Sequence, residues 1–140
     1  MKNLFLSLFA AVLFVSCQEK QTETFDLNLL NGYWEIEQVT TADGLKKEYK
    51  MSEYIDFLEI KKDSGFRKKV TPQLDGTYLV NDSDEKIKIE KTAEGTYILY
   101  STAYAKWREK IKTLTKIQLI VENDQNIQYQ YKKSTPFTVK

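Results

Sequence analysis

Short segments in which apolar and polar residues alternate run through most of the chain. Near its end, Ile127, Tyr129 and Tyr131 alternate with Gln128 and Gln130. Alternation with a period of two residues places one set of side chains on each face of a β-strand. Turn signals separate the segments: Asp43-Gly44, Ser64-Gly65, Asp75-Gly76, Glu94-Gly95 and the polar runs 81–84 and 123–126. The pattern predicts an all-β domain, an antiparallel up-and-down barrel of about eight or nine strands.

The first strand begins after Gly32 and directs Trp34 and Ile36 to one face, which we expect to be the inner one. Before it, the apolar stretch 25–31 predicts one helical or 3-10 turn that packs against an end of the sheet. Residues 103–108 are expected to form at most one helical turn. The other predicted strands run over approximately 45–50, 54–60, 66–71, 77–80, 85–91, 96–101, 110–114, 117–122 and 127–132.

Histidine is absent from the sequence, and cysteine occurs once, as Cys17. This composition excludes Ser-His-Asp and Cys-His catalysis, histidine-ligated zinc and an internal disulfide. The 21 basic and 20 acidic side chains nearly balance, so no strong field attracts nucleic acid. We therefore expect a protein that is not an enzyme, that binds no metal or cofactor, and that has no nucleic-acid partner.

The first 17 residues combine a short apolar run with a single cysteine. The run over 4–15 is too short for a transmembrane helix of about 20 residues but typical of a signal peptide. Ser16-Cys17 follows and resembles the lipobox of bacterial lipoproteins, which implies cleavage before Cys17 and acylation of the thiol. The predicted organisation is a signal peptide over 1–16, an acylated cysteine and tether over 17–24, and a barrel domain over 25–140. We expect an exported protein that Cys17 anchors to a lipid bilayer, the outer membrane of a Gram-negative bacterium.

The start of the first strand resembles a second family. Gly32-x-Trp34 after a short apolar turn is similar to the G-x-W signature of lipocalins. In that family a 3-10 turn closes the barrel and a basic side chain from the last strand lies across the tryptophan ring. Lys132 and Lys133 stand at the corresponding place, so the resemblance implies this role for one of them. Segments 32–37, 65–70, 72–78 and 104–107 resemble small bacterial lipocalin-like lipoproteins, which implies the barrel and the anchor but no ligand.

Aromatic side chains on the predicted strands could line a ligand cavity. The candidates are Phe57, Phe66, Lys68, Tyr78, Tyr100, Trp107 and Tyr129. Lys68 is included because it shares a strand face with Phe66 and would need a carboxylate partner if that face were inward. A barrel of about eight strands either holds one small ligand or is filled by its own side chains. An open barrel would suit a small hydrophobic or amphipathic molecule. A filled barrel would instead indicate a structural or interaction module with a protein partner in the cell envelope.

Overall fold

One 3-10 helix and nine antiparallel strands make up the structure, a computed structural model that describes residues 23–135 except for the side chains of Asn81 and Asp82. The helix spans Leu27–Leu30, and the strands are β1 (Gly32–Thr40), β2 (Lys46–Glu48), β3 (Ile55–Lys61), β4 (Ser64–Pro72), β5 (Tyr78–Thr92), β6 (Gly95–Ser101), β7 (Lys106–Leu114), β8 (Gln118–Asn123) and β9 (Gln128–Lys133). Between residues 23 and 135, no helix is long and apolar enough to cross a membrane. The predicted signal peptide and Cys17 lie outside the described residues.

Pairing of the first strand with the last closes the sheet. The strand order is β2-β1-β3-β4-β5-β6-β7-β8-β9, and β1 also pairs with β9. The eight strands β1 and β3 to β9 therefore form a closed wall, and the short β2 pairs with the end of β1. Closure pairs the two edges that an open sheet of these strands would expose. The predicted antiparallel up-and-down barrel is confirmed.

The inner faces of the strands form one packed apolar cluster. On β3, Leu58 and Ile60 point inward, whereas Phe57 between them points outward. The buried members of the cluster are Leu30, Trp34, Leu58, Ile60, Ile87, Ile89, Ile98, Tyr100, Ile111, Leu119 and Val121. Phe25 and Leu27 pack against this cluster where the chain enters the barrel. We call this end, near Trp34, the closed end, and we call the opposite end, with the β1–β2, β6–β7 and β8–β9 loops, the mouth.

Trp34 joins three parts of the chain at the closed end. Its side chain is buried, and its indole Nε1 donates a 2.8 Å hydrogen bond to the carbonyl oxygen of Leu30 in the helix. The Nζ of Lys133 on β9 lies 4.2 Å from the centre of the Trp34 ring, a cation–π contact. The same Nζ donates hydrogen bonds to the carbonyl oxygens of Leu29, at 3.1 Å, and Asn31. Lys133 therefore covers the tryptophan and also caps the helix, although burial lowers the pKa of its ammonium.

Lys132 lies on the other face of β9. Its Nζ is 3.6 Å from a carboxylate oxygen of Glu35, which also points outward from β1. Strand alternation accounts for this division, because adjacent residues on β9 face opposite sides of the wall. Of the two lysines that the resemblance indicated, the one that lies over Trp34 is Lys133.

Asn31 extends the pairing between the helix and β3. Its Oδ1 accepts a 2.6 Å hydrogen bond from the backbone N–H of Ile60, and its Nδ2 donates a 3.1 Å bond to the Ile60 carbonyl. The Asn31 side chain therefore takes the place of a paired strand residue, because it bonds both the N–H and the carbonyl of Ile60. The predicted 3-10 turn over 25–31 is confirmed as the helix Leu27–Leu30.

Two local predictions are corrected by the structure. The polar run 81–84 is not a turn between two strands but part of the single strand β5. Lys68 pairs with Asp84 and Val70 pairs with Val80. Strand β5 therefore has a large bulge, in which three of its residues lie opposite Lys69. Residues 103–108 form no helical turn, because β7 begins at Lys106 after a tight turn that a Thr102 N–H to Ala105 carbonyl bond closes at 2.9 Å.

Beyond the bulge, the β4–β5 hairpin folds over the outer face of the barrel. The rings of Tyr78 on β5 and Tyr33 on β1 stack with their centres 4.2 Å apart. Three strand steps separate β1 from β5 in the sheet, a distance of about 14 Å at the usual strand spacing. The hairpin must therefore fold back across β3 to reach β1, and this packing explains why Ile55 and Val70 are buried although they point outward.

We expect Lys133→Met to destabilise the barrel, because it removes the cap from the Leu29 and Asn31 carbonyls. The free energy of unfolding should fall by about 1.5–3 kcal/mol, the range for hydrogen bonds to a charged group. Lys132→Met is the matched control, and its outward ion pair should contribute about 1 kcal/mol or less. Urea denaturation measures both variants, and equal losses would contradict the different roles of the two lysines.

Candidate functional site

A cavity of about 760 Å³ opens at the mouth of the barrel. It lies between the bulged part of β5, the inner face of β4 and the β6–β7 loop. The lining residues are Arg67, Lys69, Ser83, Asp84, Glu85, Lys86, Ser101, Thr102, Ala103, Tyr104 and Lys106. We call it the mouth cavity. Most of its lining groups are charged or can form hydrogen bonds, in contrast to the apolar cluster at the closed end.

Arg67 forms the floor of the mouth cavity. Its register partners are Leu58 on β3 and Glu85 on β5, and Leu58 belongs to the inner cluster, so Arg67 also points inward. The Arg67 side chain is only 11% exposed. Its Nε donates a hydrogen bond to a Glu85 carboxylate oxygen, and its Cζ lies 4.3 Å from the centre of the Tyr100 ring. The guanidinium is therefore fixed at one edge by a carboxylate and on one face by an aromatic ring.

Neighbouring groups keep Arg67 protonated and positively charged. Burial by itself lowers the pKa of Arg67, but Tyr100, the hydrogen bond with Glu85 and the nearby Asp56 raise it above its ordinary value. Asp56 is itself buried and accepts a 3.1 Å hydrogen bond from the Nζ of Lys69. Arg67 and Lys69 therefore each have a protein carboxylate as a partner.

Glu109 lies behind Arg67 and is also buried. The Tyr100 hydroxyl bonds its carboxyl group, but no described residue provides a hydrogen-bond partner for Glu109 Oε2. Burial raises the pKa of Glu109, and Asp56 and Glu85 raise it further, whereas Arg67 and the Tyr100 hydrogen bond oppose the shift. Burial also raises the pKa of Tyr100. Among the side chains that the structure describes, no three potential ligands come together in an arrangement that could hold a metal ion.

A second cavity, a groove of about 460 Å³, runs over the outside of β5, β6 and β7. We call it the outer groove. Its lining residues are Lys86, Ile87, Lys88, Leu99, Tyr100, Ser101, Lys106, Trp107, Arg108 and Asp124. Register places Leu99 between Lys88 and Arg108 on the outer face. Lys86, Ser101 and Lys106 line both cavities, so the outer groove continues from the mouth cavity over the rim.

The structure divides the seven predicted cavity residues between the two faces of the wall. Tyr100, Trp107 and Tyr129 belong to the interior, where the Tyr100 and Trp107 rings stack with centres 5.3 Å apart. Of these, Tyr100 lies beneath the guanidinium of Arg67 and links the predicted set to the mouth cavity.

The other four predicted residues, Phe57, Phe66, Lys68 and Tyr78, lie on the outer face. There Tyr33 contacts Phe57, at 4.8 Å between ring centres, and Phe57 contacts Phe66 at 6.1 Å. Lys68 is not a buried lysine in need of a carboxylate, because its Nζ lies 5.3 Å from the Phe66 ring on this outer face. The interior position that we predicted for these four residues is therefore corrected.

Sequence reasoning did not select Arg67, Glu85 or Glu109 as interior residues, and it considered Asp56 only as a partner for an inward Lys68. Apolar residues occur on both faces of the stretch 55–60. The folded hairpin covers the outer face, so residues on both sides of this strand are buried. A strand that is buried on both sides gives no alternation from which to identify its inner face. The available signal for the inner face of β3 was the pair Leu58 and Ile60. Asp56 lies on the same face of β3, and the register places Arg67 of β4 beside Leu58 on that face.

Two solved structures are similar to this chain. The chain is similar to a lipocalin-like protein from Bacteroides uniformis, with 15% identity, a TM-score of 0.48 and coverage of 76% of this chain and 99% of that one. It is also similar to an uncharacterized protein from Bacteroides eggerthii, with 12% identity, a TM-score of 0.47 and coverage of 75% and 99%. No protein-family model and no curated protein sequence matches the chain.

We expect Glu109→Gln to change how stability depends on pH. Because the pKa of Glu109 is raised in the folded state, the unfolded protein releases this proton first as the pH rises above the ordinary value of 4.5. The wild-type protein therefore loses stability as the pH rises through the folded pKa, and the variant lacks this loss. The stability of the variant relative to wild type should increase with pH, as measured by urea denaturation at several pH values. The exposed Glu94→Gln serves as control, and a difference that is independent of pH would contradict the assignment.

Proposed function

We propose that the protein is a membrane-anchored binding protein, rather than an enzyme, and that it takes a small amphipathic molecule at the mouth of its barrel. The observation that carries the proposal is the cavity of about 760 Å³ above the fixed guanidinium of Arg67. Small-molecule sites typically have volumes of about 300–1,000 Å³ and a few precisely placed polar groups. The mouth cavity has such a volume, and the guanidinium of Arg67 is a polar group that is held in one orientation.

The packed core determines how deeply a ligand can enter. Ile98 and Val121 are 0% and 1% exposed, and they lie in the apolar cluster between the mouth cavity and Trp34. Protein interiors of this kind have few voids larger than a water molecule. The ligand therefore occupies the mouth, and the lower part of the barrel acts as a scaffold.

Two adjoining surfaces of different character support an amphipathic ligand. The mouth cavity offers charged groups, among them Arg67 and Lys69. At the rim Tyr104 is 98% exposed, and the outer groove continues past Leu99 between the long side chains of Lys88 and Arg108. The stems of such side chains present CH₂ groups to a ligand while their charged ends stay in water. A polar head in the mouth cavity and an apolar portion against Tyr104 and the outer groove would match these surfaces.

The neutral fluorophore N-phenyl-1-naphthylamine tests this proposal without relying on charge. We expect it to bind to the chain from Gln18 onward, since residues 23–135 close the barrel and supply its core. Tyr104→Ala should weaken binding about fivefold, which corresponds to about 1 kcal/mol. Ile117→Ala is the control, because Ile117 is 73% exposed in the β7–β8 loop at the closed end. Absence of binding, or equal effects of both variants, would contradict a ligand site at the mouth.

A second candidate function is a structural or interaction module of the cell envelope. The apolar exterior favours it: Leu74 and Leu79 in the folded hairpin are 90% and 63% exposed, beside the outer cluster of Tyr33, Phe57 and Tyr78. Exposed apolar patches of this kind are typical of protein interaction sites. Crosslinking in intact cells through position 74 would capture a specific protein if this function applies.

The membrane anchor is proposed from the lipobox at Ser16-Cys17 and from the position where the chain enters the barrel. Phe25 and Leu27 pack at the closed end, on the side of Trp34. A tether over 18–24, about 25 Å long if fully extended, would leave the mouth free to face away from the membrane. The proposed location is the outer membrane of a Gram-negative bacterium.

We expect Cys17→Ala to prevent acylation and processing. The variant should accumulate as a precursor of higher mass or appear in the soluble fraction after cells are broken. Gln18→Ala retains the cysteine and should behave as wild type. Membrane fractionation and mass spectrometry distinguish the two, and a Cys17→Ala protein with unchanged mass and membrane association would overturn the anchor.

A further inference from the structure

We infer that the molecule bound at the mouth carries an oxyanion head group, a carboxylate, sulfate or phosphate, and that Arg67 binds it. The inference rests on the proposed function and specifies its ligand class. Three features of the mouth cavity support it: the free edge of Arg67, the balance of charges in the lining, and the rigidity of the guanidinium.

The guanidinium of Arg67 has more hydrogen-bond donors than the described residues have acceptors for it. Its Nε is bonded to Glu85, but no residue that the structure describes accepts a hydrogen bond from its two terminal nitrogens. The side chain is nevertheless 89% removed from solvent, since only 11% of it is exposed, and it lines the mouth cavity. Because Arg67 lines the cavity, a ligand that supplies two oxygens would form charge-assisted hydrogen bonds with these nitrogens.

The charges around the cavity have an excess of cations. Its lining includes the four cations Arg67, Lys69, Lys86 and Lys106 and the two anions Asp84 and Glu85. Among the described lining side chains the difference is four minus two, or +2, and Asp56, which is bonded to Lys69 outside the lining, reduces it to +1. Glu85 bonds Arg67 and Asp56 bonds Lys69, whereas no ion pair joins Lys86 or Lys106 to a side chain that the structure describes. An anionic head would reduce this excess, and a cationic head would increase it.

The surroundings of Arg67 hold it ready for an anion. The Tyr100 ring supports one face of the guanidinium, and Trp107 in turn stacks on Tyr100. The Nε edge is fixed by Glu85, so rotation of the planar group is restricted. A guanidinium that is already oriented loses little freedom when its terminal nitrogens form a fork on two oxygens, whereas a lysine ammonium offers no such planar fork.

Three amphiphiles with the same ten-carbon chain test the head group: decanoate, decanol and decyltrimethylammonium. Each is titrated against N-phenyl-1-naphthylamine bound to the chain from Gln18 onward, below its micelle concentration. We expect decanoate to displace the fluorophore at about tenfold or more lower concentration than decanol, a factor typical of a hydrogen-bonded charged group. Decyltrimethylammonium should be the weakest competitor of the three.

Variants of Arg67 connect the preference to this residue. Arg67→Gln should bring decanoate to the level that decanol shows in the same variant, because the preference for the anion depends on the guanidinium charge. Arg67→Lys retains the charge and should keep part of the preference, which provides a second test if Arg67→Gln folds poorly in thermal unfolding. Lys116→Gln makes the same change of charge in the β7–β8 loop at the closed end and should leave the preference unchanged.

The outcomes separate this inference from the proposed function. If the fluorophore and the alcohol bind but decanoate shows no preference, or keeps it in Arg67→Gln and Arg67→Lys, the oxyanion assignment is overturned and the mouth site stands. If neither the fluorophore nor any amphiphile binds, the proposed function itself is overturned. Preference for decanoate that disappears in Arg67→Gln and persists in Lys116→Gln supports both.

Discussion

The contact between Trp34, Lys133 and the carbonyls of the 3-10 helix holds the ends of this barrel together. Residues Leu29 and Lys133, joined by a 3.1 Å hydrogen bond, are 104 positions apart in the chain. The indole of Trp34 adds a bond to Leu30, so the entering chain, the first strand and the last strand meet at one buried point. The β1–β9 pairing that closes the wall begins beside this point, with Trp34 opposite Lys133. Without the β1–β9 pairing, the same strands would leave two open edges.

Closing one end with apolar side chains allows the other end to be polar. Below the level of Tyr100 the interior consists mainly of branched aliphatic residues, whereas at the mouth it contains Arg67, Asp56, Glu85 and Glu109. Buried charged clusters of this kind are poor contributors to stability compared with well-packed apolar side chains. The unpartnered Oε2 of Glu109 adds a further cost. Stability therefore does not account for the polar network at the mouth, and the proposed ligand site would give it a role.

The closed end could be predicted from the sequence because its signals are local. Gly32-x-Trp34, the short apolar turn before it and the lysines of the last strand each have a recognisable pattern, and alternation then selects between Lys132 and Lys133. The inner face of β3 and β4 could not be identified in this way. Ile55 and Phe57 are as apolar as Leu58 and Ile60, because a hairpin from a distant part of the sheet covers them. The strand pattern therefore suggested Phe66 and Lys68 for the interior, when the tertiary structure places Arg67 and Lys69 there.

The bulge in β5 connects the covered outer face with the mouth cavity. Three residues of β5 lie opposite Lys69, and the strand changes direction there, so the hairpin beyond it packs across β3 and β1. The same irregularity interrupts the wall beside Arg67, where Ser83 and Asp84 line the cavity. If residues 78–92 formed a regular strand, the hairpin would continue along the barrel wall, and β5 would pair with β4 beside Lys69. Bulges often redirect strands next to functional sites. The polar run 81–84, which looks like a turn in the sequence, is therefore the element that both opens the mouth and hides the apolar outer face of β3.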